Sequence, residues 1–331
     1  MGQGATILGC AGPQLTRWER AFFADVQPFG FILFTRNCET PDQVRQLTSD
    51  LRASVGYEAP IFIDQEGGRV ERLGPPHWRT WLPALDQMAR VKPASAARSM
   101  YLRYRIIAHE LRAAGIDGNC APLADIAHAN THPVLHNRCY GTDGLTVVSA
   151  ARAVTQAHLD GGVLPVLKHI PGHGRATMDS HLELPRVDTD ADTLWATDFA
   201  AFGALADLPL AMTAHIVYSA LDRDRCATQS PTMIDHIRRG MGFNGLLMTD
   251  DLSMQALDGD MATRTEAALK AGCDIALHCN GDPDEMTAIT KAAGTLSPDA
   301  QARADRALAA RTSPDDADIA AMEAELSEML A

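Results

Sequence analysis

The chain has 331 residues, of which 46% are hydrophobic and 21% charged. That is an ordinary globular composition, long enough for a large single core, and it excludes wholesale disorder. Its formal net charge of −13 disfavours nucleic acid or an anionic membrane as a partner, because both need a basic surface.

The N-terminal segment Met1–Cys10 has no basic flank and no long apolar core, so it does not read as a secretory signal. Seven scattered cysteines form no C-x-x-C pair, which points to reduced thiols and a cytoplasmic setting. No apolar run reaches the length of a membrane span.

Along the chain, short apolar runs alternate with amphipathic stretches. The runs are 5–10, 30–34, 60–63, 116–126, 163–167, 208–213, 245–249 and 273–277. Each is apolar throughout rather than alternating, as expected of strands covered on both faces. Helical spacing fills the intervals at 42–53, 94–114, 146–160, 192–205, 231–239, 262–271 and 283–293. Eight strands with helices between them predict an α/β fold of the (β/α)8 TIM-type barrel, a single domain over 1–312. A doubly wound sheet is the other arrangement, but no G-x-G-x-x-G follows the first run. Ser313-Pro314 opens a predicted acidic C-terminal helix over 313–331, with the stripe Ile319, Met322, Leu326 and Met329 packed on the barrel. Six acids and no Lys or Arg lie between Asp315 and Ala331, so the tail carries much of the net charge.

Barrel enzymes place their chemistry at the carboxyl ends of the strands. Here those ends read Thr35-Arg36-Asn37, Asp64-Gln65-Glu66, Asp125, Lys168-His169, His215, Asp250-Asp251 and His278-Cys279-Asn280. A ring of acids, bases and cations on one rim suits a polar, multi-hydroxyl ligand. The densest stretch is the fifth loop, from Lys168 to His181, with three histidines and Asp179-Ser180-His181 at its end. A carboxylate near an imidazole fixes its tautomer and supports proton transfer. The ligand types His169, His173, Asp179 and His181 also leave a metal site open. Of the adjacent Asp250 and Asp251, period-two alternation allows only one to face the cavity.

On Gly30–Asn37, Ile63–Arg72, Ala121–Asp125, Lys168–Gly174, Asp179–His181, Ala214–Ile216 and Thr249–Met254, the sequence resembles glycoside hydrolase family 3, most closely its single-domain bacterial β-N-acetylglucosaminidases of peptidoglycan recycling. The resemblance implies Asp250 as nucleophile, His181 as general acid/base and Asp179 as its partner. It implies Asp64, Arg72, Arg138, Lys168 and His169 as sugar-binding residues. Arg138 sits in His136-Asn-Arg-Cys-Tyr140, where the family often has Gly-Glu-Arg-Ser-(Tyr/Phe). The implied enzyme is a retaining hydrolase of small N-acetylglucosamine-containing muropeptides, with no cofactor and no metal, acting as a monomer. With no chain left for a second domain, the expected proton donor comes from the barrel itself. The competing expectations are a metal-dependent barrel hydrolase, a non-catalytic sugar-binding barrel and a family member of other sugar specificity. Trp78 and Trp81 are candidates for sugar stacking; His128, His132 and His136 are read as solvated loop residues.

Overall fold

The computed structural model describes residues 2–178 and 183–331. Ten strands are found among them: β1 (Gly4–Gly9), β2 (Pro28–Leu33), β3 (Ile61–Ile63), β4 (Gly118–Asn119), β5 (Leu164–Ile170), β6 (Arg186–Val187), β7 (Leu210–Thr213), β8 (Val217–Tyr218), β9 (Leu246–Asp251) and β10 (Ile275–His278). Eight of these close a parallel barrel in the order β1-β10-β9-β7-β5-β4-β3-β2, while β6 and β8 pair apart from it. The (β/α)8 architecture expected from the sequence is therefore the architecture observed. Side chains such as Ile7, Ile32, Phe62, Val166, Leu210, Met248 and Ile275 fill the barrel interior, each essentially buried. A larger apolar layer lies between strands and surrounding helices. No described helix is long and apolar enough to cross a membrane.

The apolar run 116–126 yields only two ladder residues. Pro122 has no N–H to donate, yet the segment stays beside β5, where Ala121 and Pro122 carbonyls accept from Val166 (2.8 Å) and Lys168 (3.0 Å). The stretch 192–205, read as one helix, is two, Ala191–Ala196 and Asp198–Gly203, broken at Thr197. The break turns the buried Asp198 carboxylate onto Arg175 of the fifth loop (2.6 Å) and His128 of the fourth (3.1 Å). His128 is thus held rather than solvated. Helices Arg17–Val26 and Pro298–Ala309 also form, the first through a Thr16/Glu19 capping box and the second behind Ser297. Their sequence signals are capping residues rather than long apolar stripes.

The tail helix begins later than the sequence suggests. It runs Ile319–Leu330, capped by Asp318, whose carboxylate accepts from Ala321 N–H at 3.0 Å. Asp315 is not in its first turn. It pairs with buried Arg105, while its N–H donates to the Asp160 carbonyl at 2.8 Å. Leu326 is buried and Ile319, Met322 and Met329 pack partly buried against the core, next to helix Ala96–Ala113. Arg79 and Arg98 pair with Glu323 and Glu325 on its outer side.

Candidate active site

A cavity of about 310 Å³ opens at the carboxyl ends of the strands. Its polar lining is Asp64, Arg69, Arg72, Arg138, Lys168, His169, His173, Asp250 and Asp251; Ile32, Phe34, Met212 and Leu277 are among its apolar walls. The rim is more selective than the strand ends implied. Arg36 donates instead to the carbonyls of Cys10 and Cys279, tying the first and last barrel strands together. His215 is buried between Thr228 Oγ1 (2.7 Å) and the Asp251 carbonyl (3.1 Å). His278 faces outward to Glu285 at 2.9 Å.

Two barrel strands are irregular where they reach this cavity. Along β9 the pairs Met248–Ile275 and Asp251–Leu277 leave three steps opposite two. The Thr249 hydroxyl fills the interruption by accepting from Leu277 N–H at 2.9 Å. A bulge resets the alternation of side chains. Both Asp250 and Asp251 therefore line the cavity, which corrects the expectation that only one could. Asp251 is held by Ser253 Oγ (2.7 Å), Ser253 N–H (3.1 Å) and Cys279 N–H (3.2 Å). Asp250 accepts from Asp251 N–H at 2.8 Å. The same displacement occurs on β5, where Leu167 and Ile170 face Ala211 and Thr213. Adjacent Lys168 and His169, joined by a cis peptide, consequently both reach the cavity.

Along the cavity floor runs a chain of ion pairs, partly buried at Arg72 and Asp64 and fully buried at Lys168 and Glu66. Arg72 Nη2 donates to Asp64 at 3.1 Å, and Lys168 Nζ reaches Asp64 at 2.8 Å and Glu66 at 2.7 Å. Arg138 closes on Glu66 through two N–H donors, Nε at 2.9 Å and Nη2 at 2.8 Å. Burial alone would push both carboxyls up. Lys168 and Arg72 outweigh it at Asp64, which lies well below the ordinary carboxylate range. Arg138 and Lys168 do the same for Glu66, bringing it down to about 2. Burial works against the Lys168 ammonium, but Asp64 and Glu66 hold it charged, above its ordinary value.

Histidine 169 is fixed differently. Its Nδ1 lies 2.8 Å from Asp125, which is fully buried and also accepts from His173 N–H at 2.6 Å. Asp125 would rise through burial, yet the neighbouring His169 keeps it below its usual value. A carboxylate on Nδ1 leaves Nε2 as the working nitrogen. Burial, with His169 beside it, lowers His173 to about 4, so its ring is neutral at neutral pH. Burial and the carboxylates of Asp251, Asp64 and Asp250 raise the Cys279 thiol far above its normal range, so it offers no thiolate nucleophile.

Of the eight residues singled out by sequence, Asp64, Arg72, Arg138, Lys168, His169 and Asp250 lie around this one cavity. Asp179 and His181 lie outside the described residues. Trp78 and Trp81 do not line the cavity: Trp81 is buried against Arg79 and Arg103. His132 caps the short helix Pro133–His136, accepting from Val134 N–H at 3.2 Å. Sequence reasoning gave no role to Glu66 or Asp125. Glu66 was accessible to it, since it stands two residues after Asp64 on an extended strand end and so shares its side. Among the described residues no group of three or more His, Cys, Asp or Glu is placed to hold a metal.

The profile of the glycosyl hydrolase family 3 N-terminal domain matches residues 10–310. A β-hexosaminidase of Alkalilimnicola ehrlichii is 36% identical over 296 residues, covering 87% of this chain and 84% of the relative. A β-hexosaminidase of Aromatoleum aromaticum is 32% identical over 327 residues, covering 97% and 90%. Among solved structures, NagZ from Neisseria gonorrhoeae in complex with N-trifluoroacetyl-D-glucosamine superimposes with a TM-score of 0.87, at 28% identity, covering 100% of this chain and 99% of that one. A family 3 β-N-acetylglucosaminidase from Paenibacillus sp. gives 0.86 at 26% identity, with 98% of this chain and 67% of the other covered. A parallel barrel with its charged cavity at the strand ends, matched over nearly its whole length by such relatives, belongs to glycosyl hydrolase family 3 and is a glycoside hydrolase of the β-N-acetylhexosaminidase type.

Proposed function

We propose that the protein is a retaining exo-β-N-acetylglucosaminidase. It removes non-reducing terminal N-acetylglucosamine from small muropeptide fragments (N-acetylglucosaminyl-1,6-anhydro-N-acetylmuramoyl peptides), acting as a cytoplasmic monomer without cofactor or metal. The observation that carries the reading is the Asp250 carboxylate in the same cavity as Asp64, Arg72, Arg138, Lys168 and His169. Such a set supplies one nucleophile and several hydroxyl-binding groups. The N-trifluoroacetyl-glucosamine bound by the gonococcal relative supports an amino sugar as ligand.

In the proposed reaction Asp250 attacks the anomeric carbon, the bond to the leaving oxygen breaks, and His181, oriented by Asp179, protonates that oxygen. A covalent glycosyl-enzyme results. Neutral His181 then takes a proton from water, whose oxygen displaces Asp250 and restores the β configuration. Most retaining glycosidases use two carboxyl groups. A histidine, with its ordinary pKa of about 6.5, suits both proton steps near neutrality. Asp64 accepts from sugar hydroxyls, and Arg72, Arg138 and Lys168 donate to them. These contacts fix the ring for attack.

The deciding experiment follows hydrolysis of 4-nitrophenyl N-acetyl-β-glucosaminide by proton NMR. Initial release of the β-anomer is expected, and initial α-anomer overturns retention. Asp250→Asn should abolish turnover while sugar binding persists. His181→Ala should slow a purified muropeptide far more than the activated aryl glycoside; equal slowing removes His181 as the acid.

A further inference from the structure

Glu66 is only 3% exposed and is absent from the cavity lining, although both groups it binds are part of that lining. It lies behind the pocket wall, in contact with Lys168 Nζ at 2.7 Å and with Arg138 at 2.8 and 2.9 Å. Its own backbone is anchored: the carbonyl accepts from Tyr104 Oη at 3.2 Å and from Arg103, and its N–H donates to the Val70 carbonyl at 2.9 Å. Tyr104 is in turn bonded to Tyr140 at 3.0 Å. The carboxylate is therefore fixed before any ligand arrives.

Charge balance shows what this accomplishes. Three cations (Arg72, Lys168 and Arg138) share two carboxylates (Asp64 and Glu66). Asp64 neutralises the Arg72 side; Glu66 is the counter-ion between Lys168 and Arg138. Without it two buried like charges would repel across the pocket wall. Donor counting gives the geometry. An ammonium has three N–H donors, and Asp64 and Glu66 take two of those on Lys168. A guanidinium has five in a rigid fork. Glu66 grips Arg138 by the Nε–Nη2 edge, and no hydrogen bond engages Nη1 among the described residues. Gripping that edge fixes the rotation of the whole planar group and points the remaining donors away from Glu66.

We propose that Glu66 is the positioning residue for sugar recognition, holding Lys168 and Arg138 side by side so that their remaining donors meet the hydroxyls of the terminal sugar. This rests on the glycosidase reading above. Glu66 touches no substrate atom; it acts through the two cations. Asp125 plays the parallel part for the His169 ring, its other bonds going to the backbone N–H groups of His169 and His173, whereas Glu66 couples two cationic side chains.

The test combines kinetics on 4-nitrophenyl N-acetyl-β-glucosaminide with calorimetric binding of free N-acetylglucosamine, for wild type, Glu66→Gln, Arg138→Ala and the double variant. Glu66→Gln keeps shape and removes charge. It should weaken N-acetylglucosamine binding and raise KM by about tenfold or more, the scale of one charge-assisted hydrogen bond, with a smaller fall in kcat. In the Arg138→Ala background the same change should cost less than about threefold, because half its object is gone. A residue that only supports the fold would lower Tm and the active fraction and leave KM and sugar affinity as they were. That result, or full additivity with Arg138→Ala, overturns the proposal. If Glu66→Gln does not fold, Glu66→Asp takes its place: the charge is kept but cannot span both partners, so the same loss of affinity is expected and wild-type affinity overturns it. A wild type that binds sugar without turnover defeats the glycosidase reading while the affinity ratios still decide Glu66; one that does neither overturns both.

Discussion

The pocket floor and the tail strap are built from the same chemistry, arginine or lysine against carboxylate, with opposite consequences. On the floor, Lys168, Glu66 and Arg138 have side chains 2%, 3% and 12% exposed. On the strap, Arg98 and Glu325 are 46% and 38% exposed. Desolvated pairs hold a single geometry but are costly to break; solvated pairs gain little because water and salt compete. The floor's carboxylates are driven down, Glu66 to about 2. Beside the strap, Glu110 goes the other way: burial lifts it to about 7, and its neighbour Arg79 only partly offsets this. The floor is organised to fix charges that a ligand will meet. The strap fastens a helix whose apolar stripe, centred on Leu326, does most of the attachment.

Breaking the floor should give the largest effect. Lys168→Ala leaves Asp64 and Glu66 buried without their shared ammonium, and should cost about 3–5 kcal/mol of stability together with nearly all turnover. Urea unfolding monitored by circular dichroism, alongside aryl glycoside hydrolysis, measures both. A loss below about 1 kcal/mol would mean the floor is as permissive as the strap. Gly67→Ala attacks the same region through the backbone. Gly67 has φ +96, and a Cβ there would sit 2.6 Å from the Trp81 Cβ and collide with Arg103. A destabilisation of about 2–4 kcal/mol is expected from left-handed strain and overpacking together.

On the strap, Asp315→Ala leaves Arg105, 2% exposed, without its carboxylate partner, which is itself 47% exposed. A cost of about 1–3 kcal/mol is expected, because Arg105 then keeps a buried charge with poor compensation. Glu325→Ala, at the solvated end, should cost at most about 1 kcal/mol. If the two proved equal, burial would not be what separates these pairs.

Acid titration sharpens the contrast by sign. Glu66 has a folded value below its ordinary 4.5, so its stabilisation is present above that value and disappears as pH falls towards about 2. Glu110 has a folded value above its ordinary 4.5, so the folded state takes up a proton that the unfolded state does not between about 7 and 4.5. Its contribution therefore improves as pH falls through that window. Urea midpoints from pH 8 to pH 2.5 test both. Relative to wild type, Glu66→Gln should lose less stability below pH 4.5. Glu110→Gln should be relatively most stable at pH 8 and lose that advantage by pH 5.

The eight apolar runs and the residues at their carboxyl ends were legible because buried parallel strands and the rim of a barrel leave composition signals that survive without three-dimensional information. The candidate sugar-binding residues came from the motif resemblance; Asp64, Lys168 and His169 also stand at such strand ends, whereas Arg72 and Arg138 do not. Alternation failed at Asp250-Asp251 because β9 carries a bulge against β10, and a bulge depends on the partner strand's register. The single helix read at 192–205 failed because Asp198 leaves helical continuity to bind Arg175 and His128, residues 23 and 70 positions away. The tail helix began late because Asp315 is drawn to a buried arginine 210 positions earlier.

The sequence by itself determined the barrel and its polar rim, since periodicity and residue type are local properties; the roles expected of individual rim residues came from the motif resemblance alone. Only the tertiary structure decided which rim residues share a cavity and which, like His215, His278 and Arg36, serve the framework instead. It alone placed Glu66 between Lys168 and Arg138, because charge pairing across 102 and 72 positions is set by strand register and burial, which no local pattern encodes.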